Sequence, residues 1–151
     1  MNQLFLVPFK AEAKLLTSIF PNCKSITDSR FPNHWTFKGG EIISWNIAGK
    51  AGMQDTIEKV GIYDNFSSVI LFGSCGSLSP NLKLGQIFSC KTIKDTSQSI
   101  FELPIPEDFE NKDLLCTDGL ILDNEERKRL WEEYNCHIVD MEGSVFANFA
   151  D

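Results

Sequence analysis

The sequence predicts an α/β fold, a mixed sheet flanked by helices. Three observations lead there. Short apolar runs alternate along the chain with stretches of helical spacing. The pair Gly39-Gly40 divides "TFKGGEIISW" into the two strands of a hairpin. Several strand-like runs end in unusual residues, and in open α/β sheets ligands sit at the carboxyl ends of the strands.

The elements follow in chain order. "QLFLV" (3–7) reads as a buried strand broken by Pro8. Residues 9–20 have helical spacing, with Leu15, Leu16, Ile19 and Phe20 as the apolar stripe. Residues 21–34 are turn-rich, and the Gly39-Gly40 hairpin comes next. In residues 50–61, Met53, Ile57 and Val60 share a helical face, and Gly61 suits the helix end. "SVILF" reads as a strand, as does "LGQIFSCKTI". Residues 94–113 are polar, contain Pro104 and Pro106, and read as a connecting loop. "LLCT" is a short strand. Asp123 opens a helix as its N-cap, with Glu126 at capping-box spacing. "CHIVD" is the last strand, and "MEGSVFANFA" begins the last helix.

The chain has 151 residues, enough for one domain, 1–151, with a real core. Its apolar fraction of 42% and charged fraction of 23% are ordinary globular values. A formal net charge of −7 argues against nucleic-acid binding, since no basic field gathers phosphates. The apolar run in "MNQLFLVPFK" is too short for a signal peptide or a membrane span, so a cytoplasmic chain that does not engage a membrane is expected. The five cysteines form no C-x-x-C pair and read as small buried hydrophobes in a reducing compartment. Two histidines and no Cys/His cluster speak against zinc; neither a metal nor a cofactor is implied.

Three strand ends carry residues suited to chemistry. In "GSCGS" (73–77), Gly73 and Gly76 permit unusual backbone angles, while Ser74, Ser77 and the backbone N–H groups can hold an anion or a water. A tight turn explains the same residues. The loop has no Lys-Ser/Thr pair and no G-x-G-x-x-G, so neither a P-loop nor a dinucleotide site is supported. In "VDMEG", acids near a helix start are stabilised by the macrodipole. Glu142 could equally grip two vicinal hydroxyls of a sugar, with Met141 packed on it. Glu12 fits both a solvated acid at a helix start and a general base acting on water.

Taken together, these stretches resemble the nucleoside phosphorylase and nucleosidase superfamily, and most nearly methylthioadenosine/S-adenosylhomocysteine nucleosidase and futalosine hydrolase. "VILFGSCGSLSPNLKLGQIF" resembles that family's strand, Gly-Ser/Thr-Ala-Gly-Gly loop and following strand. "IVDMEG" is similar to its V-E-M-E-(A/G) motif, "FKAEAKLL" to its A-M-x-x-E segment, and "NIAGK" to its (S/G)-G-x-G-K turn. "LLCTDGLIL" is similar to the segment that closes over the purine.

The resemblance implies a phosphorylase/nucleosidase-like sheet and hydrolysis of the N-glycosidic bond of a purine nucleoside. Glu12 would activate the attacking water. Ser74, Cys75 and Gly76 would lie where that water approaches. Met141 would pack on the ribose, Glu142 would bind its hydroxyls, and Leu120 and Ile121 would line the base pocket. The absence of a Gly-Asp-Pro and arginine pattern in "VPFKAE" favours hydrolysis over phosphorolysis. A homodimer is implied too.

Cys75 and Ser77 replace smaller family residues, and Asp140 replaces a Glu. In the family one more strand, ending in Ser-Asp, and a long helix follow the position of Asp151. That Asp is the general acid, without counterpart in residues 1–151. The expectation is a C-terminally truncated sequence, either a fragment or a natural short member with reduced or altered chemistry, since losing a general acid costs about 10²–10⁴-fold. The alternative is a catalytically impaired relative that still binds a nucleoside.

Overall fold

The strand β1 (Gln3–Val7) is buried along almost its whole length, as a run of Leu, Phe, Leu and Val must be when both faces of a sheet are covered. It is the pivot of the first of two compact units, Met1–Ser74 and Cys75–Asp151. The computed structural model describes residues 2–61, 65–104 and 108–150.

In the first unit β1 leads into α1 (Lys10–Ile19), β2 (Lys24–Asp28), β3 (Phe31–Phe37), β4 (Gly40–Ser44), α2 (Lys50–Val60) and β5 (Ser68–Leu71). The five strands form one mixed sheet, ordered β2-β3-β4-β1-β5. β1 pairs in parallel with β4 and β5, and the β2–β3–β4 meander is antiparallel. Phe5, Val7, Ala13, Leu16 and Ile42 form a buried cluster, and Phe20 stacks on Phe37 with ring centroids 4.0 Å apart.

In the second unit the order is β6 (Gly76–Ser77), β7 (Thr92–Asp95), β8 (Ile100–Glu102), β9 (Leu114–Cys116), α3 (Asn124–Tyr134), β10 (Ile138–Asp140) and α4 (Gly143–Ala150). Its sheet is also mixed, ordered β6-β10-β9-β7-β8, with β10, β9 and β7 mutually parallel. Leu78, Leu115, Leu130, Cys136 and Val139 form one buried cluster. Ile93, Leu114, Cys116, Ile138 and Ala147 form another.

The α/β class with mixed sheets and flanking helices is as the sequence predicts; its division into two sheets is a finding of the structure. Asp123 is the N-cap of α3, its Oδ1 accepting the N–H groups of Glu125 (2.7 Å) and Glu126 (3.0 Å). Four expectations are corrected. The turn-rich stretch 21–34 contains β2, an exposed edge strand with no apolar alternation to announce it. "LGQIFSCKTI" is a strand only from Thr92; Gly85 has a φ of 86°, and Leu84 and Ile87 are exposed. The expected loop 94–113 contains the end of β7 and all of β8, joined through a turn at Gln98. Pro106 lies outside the described residues. On α1, Ala13 and Leu16 face the core, while Leu15 and Ile19 are exposed. Ala13 and Leu16 lie in the buried cluster with Phe5, Val7 and Ile42.

No described helix is long and apolar enough to cross a membrane. All five cysteines are free thiols; Cys116 and Cys136 are buried, and Cys75 is exposed.

Candidate functional site

In the first unit, parallel pairing decides which residues meet. β1 and β5 run side by side in the same direction, so residues following both strands emerge at one edge of the sheet. After β1 come Pro8 and α1; after β5 come Gly73 and Ser74. Phe9 stands at the N-cap of α1 and has no side-chain oxygen to offer. Glu12 reaches back instead, and its Oε2 accepts the Phe9 N–H at 3.1 Å. Its Oε1 accepts both the Ser74 N–H (2.8 Å) and the Ser74 hydroxyl (2.5 Å). The two residues are 62 positions apart in sequence. Gly73 fits because a Cβ there would lie 3.3 Å from Pro8 Cδ and 3.7 Å from Glu12 Oε2. Glu12 is half-buried and Ser74 exposed, so solvent reaches the pair. A carboxylate in this position can take a proton from water. The Ser74 hydroxyl, donating to Glu12, keeps its lone pairs to orient that water.

In the second unit the parallel pair β9 and β10 ends with Cys116 opposite Asp140. Thr117 ties the two ends together: its N–H and its hydroxyl both donate to the Asp140 carbonyl, at 2.9 and 3.2 Å. The Asp140 side chain turns toward the start of α4, where Oδ2 accepts the Gly143 N–H at 2.9 Å. Oδ1 is enclosed and has no hydrogen-bond partner among the described residues. Burial, followed by the charge of Glu142, pushes the Asp140 carboxyl up to about 7. Hydrogen bonds from the Cys116 thiol and from the Gly143 and Glu142 N–H groups act the other way and do not prevail.

Glu142 is 6% exposed, and its Oε2 accepts the Met141 N–H at 3.3 Å. Gly143 is required by contact: a Cβ there would lie 2.7 Å from Leu114 Cδ2 and 3.0 Å from Asp140 Oδ2. The same holds at Gly76, where a Cβ would come within 2.9 Å of Val139 Cγ1. Neither Gly73 nor Gly76 has a positive φ, so the sequence expectation of unusual backbone angles is replaced by one of close approach. Burial and then the Asp140 charge raise the thiols of Cys75 and Cys116, the latter to about 12.

Of the residues singled out from sequence, Glu12 and Ser74 are in direct contact. Cys75 and Gly76 are exposed in the second unit, and Met141 and Glu142 follow β10 there. Leu120 is exposed, while Ile121 packs against the Leu78–Leu115–Leu130 cluster. The importance of Thr117 and Cys116 was missed. The one signal was that "LLCT" and "IVD" are two short apolar runs able to pair. A cleft of about 550 Å³ in the second unit, lined by Ser77, Pro80, Arg127, Lys128 and Trp131 among others, includes neither Asp140 nor Glu142. Among the described residues no group of three or more His, Cys, Asp or Glu side chains is placed to hold a metal ion.

No family model matches the sequence, and no curated protein matches it. Solved structures do. A futalosine hydrolase mutant of Helicobacter pylori superposes with a TM-score of 0.77 at 16% identity, covering 97% of this chain and 78% of the other. An MTAN variant from Chlamydia trachomatis bound to MTA gives 0.78 at 17% identity, covering 98% and 73%. The 5′-methylthioadenosine/S-adenosylhomocysteine nucleosidase of S. pneumoniae with a transition-state inhibitor gives 0.77 at 13% identity, covering 97% and 78%. The chain therefore has the fold of these nucleosidases, as the resemblance implies.

Proposed function

We propose that the protein hydrolyses the N-glycosidic bond of a purine nucleoside of the methylthioadenosine, S-adenosylhomocysteine or futalosine type. The observation that carries this reading is the Glu12–Ser74 contact, found in a chain whose fold matches nucleosidases over nearly all its length. Glu12 takes the proton of the attacking water, which Ser74 helps to orient. Cys75 and Gly76 belong to the loop along which that water approaches. Glu142 accepts hydrogen bonds from the ribose hydroxyls, and Met141 packs on the sugar. Leu120 and Ile121 flank the base. Bond cleavage leaves positive charge on the sugar ring, and ionised carboxylates favour that state over the neutral nucleoside.

The reading extends to two copies of the chain and to a reducing, cytoplasmic compartment. Sedimentation at a dimer mass would agree with the first; a monomer at micromolar concentration would overturn it. The reaction is tested by incubating the protein with methylthioadenosine and following free adenine. Release that drops about 10²–10⁴-fold in Glu12→Gln is the expected result. Binding without release above that variant would assign the chain to nucleoside binding alone.

A further inference from the structure

Two cations of the second unit stand without an acid. Arg30 is held by Asp28 at 2.7 Å and Arg129 by Glu133 at 2.6 Å, but Arg127 has no ion-pair partner among the described residues. It is half-buried, and its Nε and Nη2 donate to the Ile121 carbonyl at 3.4 and 3.2 Å. That leaves Nη1 unspent, on a group that keeps its positive charge at any ordinary pH. Lys128 stands beside it, exposed, with neither an ion pair nor a side-chain hydrogen bond among the described residues. Both line the cleft of about 550 Å³ that is formed by side chains of α3 and of residues 77–82. The wall of the cleft holds a third donor. Ser79 is 4% exposed; its Oγ accepts the Asn81 N–H at 3.3 Å, and its own proton has no acceptor among the described residues. A buried donor without an acceptor is unfavourable until a ligand supplies one. The start of α3 is not what makes the site, since Asp123 already accepts the N–H groups of Glu125 and Glu126. Among the lining residues the one acid is Glu132, exposed and outside ion-pair distance of either cation.

We propose that this cleft binds a phosphate monoester with a planar or apolar body. Guanidinium, ammonium and hydroxyl are three separate donor groups. They exceed what the two oxygens of a carboxylate use and match the three terminal oxygens of a phosphate. The volume leaves room beyond the phosphate, within the range of about 300–1,000 Å³ usual for small-ligand sites. Pro80 and Trp131 supply apolar wall for the remainder of the ligand. The formal net charge of −7 sets a distant field that opposes an anion, so affinity rests on these local groups. The proposal is independent of the nucleoside reading, because Glu12, Met141 and Glu142 take no part in it.

The test follows side-chain N–H signals of the full chain by nitrogen-edited NMR. Trp131 is the tryptophan of the second unit, whereas Trp35 and Trp45 belong to the first, so the Trp131 indole signal reports on the cleft. Phenyl phosphate is the probe, raised to about 10 mM, where even a millimolar site fills. The Trp131 indole and Arg127 guanidinium signals should shift along a saturating curve, and the Trp45 indole should stay in place. Inorganic phosphate should shift the Arg127 signal with weaker affinity. Benzyl alcohol, a planar body without charge, should leave it unmoved. Lys128→Glu reverses an exposed, unpaired charge and should weaken phenyl phosphate about tenfold. Glu132→Gln should strengthen it about threefold. Arg127→Ala should abolish saturation; if loss of the Ile121 contact unfolds that variant, Lys128→Glu decides. The proposal is overturned if the shifts do not saturate, if benzyl alcohol produces the same shifts, or if Lys128→Glu binds phenyl phosphate as wild type does.

Discussion

Glu12 and Asp140 each follow a parallel strand and lean on the first turn of a helix, yet their carboxylates meet different surroundings. Glu12 has three donors shared over both oxygens, and solvent reaches it. Asp140 has its donors on one side, an enclosed oxygen on the other, and a second acid beside it. A helix N-terminus favours an anion by about 0.3–1 kcal/mol when exposed. At Asp140 that preference is outweighed, because burial and a like charge act together. A rule read from sequence position, acid before helix, therefore covers two opposite cases. Water access and donor count separate them.

The comparison can be broken most forcefully through pH. The Asp140 carboxyl is raised, so the folded protein keeps a proton that the unfolded chain has already released between about pH 4 and about pH 7. Stability must then fall as pH rises through that window. The fall should be on the order of 4 kcal/mol and should vanish in Asp140→Asn. Trp131, in the second unit, provides a fluorescence signal for denaturant midpoints at each pH. An unchanged slope in the variant would mean that Asp140 does not hold this proton.

Gly143→Ala comes next. Alanine in a helix usually stabilises by about 1 kcal/mol over glycine. Here the new methyl meets Leu114 and the Asp140 carboxyl, so a loss of about 2 kcal/mol is expected in the same unfolding assay. A gain in stability would show that the contact yields easily. Ser74→Ala has the smallest effect. It removes the hydroxyl bond to Glu12 and leaves the N–H bond, at a cost of about 1 kcal/mol, or roughly fivefold in turnover. A loss as large as that of Glu12→Gln would give Ser74 a share in the chemistry itself.

The strands β1, β4, β5, β9 and β10 and all four helices were legible as apolar runs or helical spacing. β2 was not, because an exposed edge strand buries too little to leave an alternation. Leu15 and Ile19 misled because large side chains drew the helix stripe away from Ala13, which with Leu16 faces the core. Glu12 and Ser74 were each visible as candidates. Their contact depends on the β1–β5 pairing, which brings together residues 62 apart. The state of Asp140 was the least legible. It follows from enclosure by Cys116 and the start of α4, which only packing creates.

The central claim is that water, not phosphate, cleaves the nucleoside. Its most direct test is adenine release from methylthioadenosine, measured with and without inorganic phosphate, with the sugar product examined by phosphorus NMR. Equal adenine release in both conditions, with no sugar phosphate formed, is the predicted result. Release that needs phosphate, or no release at all, would contradict the account.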